Sequence, residues 1–128
     1  MERLSHLGSL ARQLVVVKSG SIKAKVLEKG VNSVRLITGP KDASDRFMMS
    51  LLTVEPGASS EGIYEDKDEA LYILQGRLSL EWDGKAEVVG PGDAVFIPMG
   101  QRWDMENKEE VAVKLIAIIS PSKKSSEL

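Results

Sequence analysis

From Ser21 to Ser120 the chain is written almost entirely in short runs rich in β-branched and aromatic residues: "IKAKVLE", "VNSVRLIT", "RFMMSLLTVE", "EALYILQGRLSLEW", "KAEVVG", "DAVFIP" and "EVAVKLIAIIS". Gly, Pro, Asn and Asp cut the runs apart, and none holds a helical period long enough for a stable helix. Short strands with regular turn signals predict an antiparallel sandwich or barrel of about six to eight strands, beginning near residue 22. The sharpest turn is "WDGK", where Asp83-Gly84 supplies the two positive-φ positions of a type I′ hairpin. "TGPKDASD" reads as an exposed loop between strands.

A chain of 128 residues suits one domain with one core. Ahead of the β-runs, Leu4, Leu7, Leu10, Ala11 and Leu14 recur at steps of three and four. That spacing predicts one apolar face of a short helix or arm, which needs a surface to cover. The expected organisation is an arm over residues 1–20, a barrel over 21–121 and a polar tail over 122–128. Seventeen basic and nineteen acidic side chains leave a net charge of -2 with no basic stripe, so nucleic acid is not an expected partner. No apolar run is long enough to span a membrane, and the polar opening "MERLSHLGSLARQ" does not read as a secretory peptide. Cysteine is absent, which removes disulfides, thiolate metal sites and a cysteine nucleophile. A cytoplasmic protein is expected.

Two glycine-anchored blocks occupy the second half. In the first, Gly57 is followed by five residues to Ile63, then Glu65, Glu69 and Gly76; in the second, Gly92 leads through five residues to Pro98, then Gly100, Trp103 and Asn107. Glycines and prolines here have a physical reason of their own, since strand must give way to strand without a Cβ penalty. The spacing resembles the two motifs of the cupin superfamily, G-x5-HxH-x3-E-x6-G and G-x5-P-x-G-x2-H-x3-N, from about Phe47 to Ser120. The resemblance implies an all-β fold, the double-stranded β-helix or jelly-roll barrel, here with a short N-terminal helix or arm. It also implies a homodimer, because small cupins usually pair.

At the four positions that hold a metal in many cupins, this chain has Ile63, Glu65, Glu69 and Trp103. Isoleucine has no lone pair and an indole nitrogen only donates, so neither ligates a transition metal. The sole histidine, His6, lies in the N-terminal segment. No tightly held metal and no other cofactor is expected, although two carboxylates can hold Mg2+ or Mn2+ when a ligand assists.

Successive strand residues face opposite sides. Ile63 and Glu65 are therefore expected to point inward together, facing Glu69, Leu71 and Ile73 on the other arm, while Gln101, Trp103 and Met105 share a face. Asp66 to Asp68 is then the exposed turn, and Tyr64, Tyr72 and Arg102 point away from the interior. Lys114, inside "VAVKLIAII", is expected to face outward. Glu65 and Glu69, close together in a low-dielectric barrel, would form a proton donor beside an acceptor. Such a pair suits isomerisation, epimerisation or elimination on a sugar or small organic acid, with Ile63, Leu71, Gln101, Trp103 and Met105 binding the substrate. The competing reading is a ligand-binding or interaction protein without catalysis, its barrel plugged by Trp103. Histidine-poor cupins of the ethanolamine-utilisation and ureidoglycolate types look similar around "GPGD...IP.G", and the resemblance transfers no substrate.

Overall fold

The structure is a computed structural model of the chain and describes residues 14–38 and 46–121. The expected leucine-faced helix, His6, most of the "TGPKDASD" loop and the 122–128 tail lie outside the described residues. Leu14, Val15 and Val16 precede a 3-10 turn at Ser19–Ser21 and are exposed. Ten strands follow: β1 Lys25–Glu28, β2 Val31–Ile37, β3 Met48–Val54, β4 Ser59–Gly62, β5 Asp68–Gln75, β6 Leu78–Trp82, β7 Lys85–Val89, β8 Ala94–Ile97, β9 Trp103–Glu106 and β10 Val113–Ser120. They form two antiparallel sheets, β1-β2-β3-β10-β5-β8 and β4-β9-β6-β7. No helix among the described residues is long and apolar enough to cross a membrane.

Ten strands replace the expected six to eight for a local reason. β4 ("SSEG") has almost no β-propensity and β9 ("WDME") has only Trp103 in its favour, and they are strands because they pair with each other and because β9 also pairs with β6. The run "EALYILQGRLSLEW" divides at Gly76, whose φ of +82° suits a residue without Cβ. A Cβ there would lie 2.8 Å from the Ala112 carbonyl oxygen, so the turn also needs the close approach. The hairpin between β6 and β7 is the expected one, with Asp83 and Gly84 at φ 48° and 73°.

The buried core lies between the sheets and includes Leu71, Ile73, Leu78, Leu80, Val113 and Leu115. Strand register arranges the inner face of the large sheet in rows. Val31, Val54 and Val113 form one row, and Ser33, Leu52, Leu115 and Ile73 the next. The following rows bring Arg35, Ser50, Ala117 and Leu71 together, then Glu69, Ile119 and Ile97. One end of the barrel is thus sealed by aliphatic side chains, and polar groups gather towards the other. Asn107, fully buried, ties the connections: its amide donates to the Val54 and Val111 carbonyls, and its oxygen accepts from the Glu109 N–H. Lys114 faces outward, exposed, opposite Thr53 and Gln75, as expected.

Candidate functional site

Glu69 is the second residue of β5 and is only 7% exposed. Its cross-strand neighbours, Ile119 on β10 and Ile97 on β8, are equally buried. Burial without a compensating charge disfavours the carboxylate and pushes its pKa up from 4.5 to about 7. At neutral pH the group therefore exists in both protonation states.

The partner expected beside it lies on a loop and is exposed. β4 ends at Gly62 and β5 begins at Asp68, so the residues between them form a loop in which strand alternation no longer applies. Glu65 is exposed there, and Ile63 is 38% exposed. The same break undoes two further expectations. Lys67, in the middle of the supposed exposed turn, is buried, and its ammonium donates to the Pro121 carbonyl at 2.8 Å. Asp68 accepts from the Met99 N–H at 2.9 Å.

Tyr64, expected to turn away, is 39% exposed, yet its phenol lies within the electrostatic reach of Glu69. Burial raises its phenol above 10.0, the Glu69 charge raises it further, and the Arg35 guanidinium pulls it back. Glu69 and Arg35 therefore both act on one hydroxyl. The loop is pinned by the Gly100 N–H, which donates to the Tyr64 carbonyl at 2.7 Å. Strand parity could not have found Tyr64, because it sits on no strand. Arg35 did leave a sequence signal: it alternates with Val31 and Ser33, so parity puts it on the inner face of the sheet, at the end of the row where its side chain is exposed.

Trp103 opens β9 opposite Gly62. A Cβ on Gly62 would lie 2.8 Å from the indole Nε1 and 3.0 Å from Cε2, so the ring sits directly over that glycine. The buried Nε1–H has no hydrogen-bond partner. Gln101 and Trp103 both line a cavity of about 500 Å³, together with Trp82, Glu87, Phe96 and Ile97. Met105 and Leu71 are core residues instead, 6% and 1% exposed. Glu69 does not line this cavity, but its neighbour Ile97 does. A second depression, about 580 Å³, lies against the small sheet; its charged lining is mostly acidic, Glu61, Glu81, Asp104 and Glu106 among them, with Lys108 as a cation.

These residues do not fit a transition metal. Ile63 offers no donor atom, the Trp103 Nε1 carries a proton and lies over Gly62, and Glu65 is exposed. Among the described residues no three His, Cys, Asp or Glu side chains are grouped to hold a metal ion.

Residues 50–119 match the Cupin domain family. Mannose-1-phosphate guanylyltransferase from Escherichia coli (strain K12) is 28% identical over 82 residues, which is 63% of this chain and 17% of that protein. The chain thus spans a small part of the length of such relatives. The tetracenomycin polyketide synthase protein TcmJ of Streptomyces glaucescens is 26% identical over 101 residues, 78% of this chain and 68% of that one. Among solved structures, the polyketide cyclase RemF from Streptomyces resistomycificus is 26% identical with a TM-score of 0.77, covering 88% of this chain and 82% of that one.

Proposed function

This chain belongs to the cupin family, and because its interior carries one buried, proton-exchanging carboxyl in place of a ring of imidazoles, we propose that it is a small-molecule enzyme in which Glu69 moves a proton. The observation that carries the reading is the placement of Glu69 among isoleucines with its pKa near 7. As a carboxylate it takes a proton from carbon next to a carbonyl. As an acid it returns that proton to a neighbouring atom, for isomerisation, or to the opposite face of the same carbon once the planar intermediate has turned over, for epimerisation. Loss of a leaving group after proton removal gives the lyase variant of the same step.

The Tyr64 hydroxyl, near both Glu69 and Arg35, is suited to hold the substrate oxygen on which negative charge develops. Arg35 favours a small organic acid over a neutral sugar, since a guanidinium matches a carboxylate. Trp82, Phe96 and Trp103 give the adjoining cavity aromatic walls for a ring. The similarity to the polyketide cyclase RemF agrees with this chemistry, because removal of a proton beside a carbonyl is also how a polyketone begins to close. No tightly bound metal or organic cofactor is part of the proposal. A cytoplasmic homodimer, with an arm over residues 1–20, a barrel over 21–121 and a tail over 122–128, completes it.

A second reading has one observation in its favour. The Trp103 ring over Gly62 occupies part of the space that ligands need, as in a binding protein without catalysis. Mass spectrometry of small molecules co-purified with the native protein supplies the probe that separates the two. Turnover of that compound by the parent and by Glu65→Gln, and its loss in Glu69→Gln with binding retained, is the expected result. Binding without turnover in the parent would leave the non-catalytic reading. Equal loss in both glutamine variants would restore Glu65 to a catalytic role.

A further inference from the structure

β7 is the edge of the small sheet and β8 the edge of the large one, and the chain crosses from one to the other through residues 90–93. The two edges do not pair, and both line the cavity of about 500 Å³. Register decides what else faces it. Across the β6–β7 hairpin Leu80 pairs with Glu87 and Trp82 with Lys85, so Glu87 lies on the inner face of its strand beside core residue Leu80. One step beyond the Glu81–Asp104 pair, Trp82 falls opposite Trp103 on β9. Both tryptophans of the chain therefore wall one cavity. At the corner between the sheets Asp93 also lines it, held in place by two bonds: its Oδ2 accepts from the Gly90 N–H at 2.8 Å, and its own N–H donates to the Gly90 carbonyl at 3.0 Å. Among the described residues no lysine, arginine or histidine lines the cavity, and its charged groups are Glu87 and Asp93.

We propose that this cavity binds a substituted ammonium group, the cationic end of a small organic ligand. Its volume is that of a small-molecule site. Indole is the aromatic side chain that attracts a cation most strongly, and an alkylated nitrogen presents an apolar shell to it while keeping the charge. Glu87 and Asp93 add the opposite charge. An anionic ligand would meet two like charges and no cation in the lining, and a neutral apolar one would leave the inward-facing Glu87 uncompensated. A charge on an edge strand also keeps other strands from pairing with it, which accounts for Glu87 alone and not for its meeting both indoles. Lys85 shares the Glu87 face of β7 but lines a different depression, at the hairpin end with Asp83 and Arg102. The inference deepens the proposed function, since Ile97 joins this cavity to Glu69, and it rests on that reading only for the ligand's being a substrate.

Choline and its uncharged isostere 3,3-dimethylbutan-1-ol have nearly the same shape and differ in charge, so they are the probes. Titration of the full chain at low salt, followed by tryptophan fluorescence, reads the site directly because both indoles line it. Choline should bind with a dissociation constant about 10-fold or more below that of the isostere. Glu87→Gln, at an exposed position, should weaken choline by about 5- to 10-fold and leave the isostere unchanged. Trp82→Phe should weaken choline about 3-fold or more, with circular dichroism that of the parent. Glu69→Gln should bind choline as the parent does. No binding of choline, equal binding of the two probes, or a preference indifferent to both Glu87→Gln and Trp82→Phe would overturn the assignment. Turnover lost in Glu69→Gln with no choline preference in the parent would keep proton transfer at Glu69 and reject the cation site.

Discussion

Glu69 has a stability consequence as well as a chemical one. Its carboxyl titrates near 4.5 when the chain is unfolded and at about 7 when folded, so between those values the folded state holds a proton that the unfolded state has lost. Stability attributable to this residue is therefore full below pH 4.5, falls as pH rises through 7, and is then level, a loss of about 3 kcal/mol. Glu69→Gln should remove that slope and be more stable than the parent at pH 8 in urea denaturation, whereas Glu65→Gln, at an exposed position, should change stability by less than about 0.5 kcal/mol. A parent that gains stability across this window would mean that the carboxylate is paired. Gly62 is the other residue with a sharp expectation. Gly62→Ala must push the Trp103 ring aside and should cost about 1–3 kcal/mol with a shift in tryptophan fluorescence. Trp103→Phe removes the unpartnered N–H and should cost far less than Trp103→Ala.

At the scale of elements, the strands that sequence reading anticipated are those whose own composition favours β-structure, such as β3, β5 and β10. β4 and β9 escaped because tertiary pairing, not propensity, makes them strands. Their join to the rest of the barrel depends on Asn107, which holds β3, the turn after β9 and the approach to β10 through three hydrogen bonds. Asn107→Ala should strand the buried Val54 carbonyl together with a partly buried carbonyl and N–H, and lower stability by about 1–3 kcal/mol. Unfolding in urea followed by circular dichroism measures it, and a change below about 0.5 kcal/mol would show that water replaces the amide without cost. The loop between β4 and β5 carries the opposite lesson. Extending strand alternation across it put Glu65 inside, and the end of β4 at Gly62 leaves it exposed, while Tyr64, 39% exposed, still comes within the electrostatic reach of Glu69.

For the molecule as a whole, the donor inventory sets the metal content. The chain has one histidine and no cysteine, and the position facing Gly62 is held by an indole. Dialysed protein should carry less than about one Zn2+, Fe2+ or Ni2+ per chain by elemental analysis, since these ions prefer imidazole or thiolate. Stoichiometric transition metal surviving dialysis would contradict this. Mg2+ or Mn2+ retained only together with a bound small molecule would be compatible with it.

Turn residues and strand composition are local properties, so the barrel, its Asp83-Gly84 hairpin and the two glycine-anchored blocks were legible along the chain. Glu69 was legible too, because its inward direction follows from alternation within one uninterrupted strand. The company it keeps was not. Arg35 and Glu69 are 34 positions apart in the sequence and reach one end of the barrel only through the register of β2 on β3, β3 on β10 and β10 on β5. Tyr64 joins them because a loop, whose side chains obey no period, is pinned by a hydrogen bond from Gly100. Burial of a carboxyl and the unpartnered indole nitrogen are likewise properties of packing. They arise from which neighbours exclude water, and the order of residues along the chain does not encode those neighbours locally.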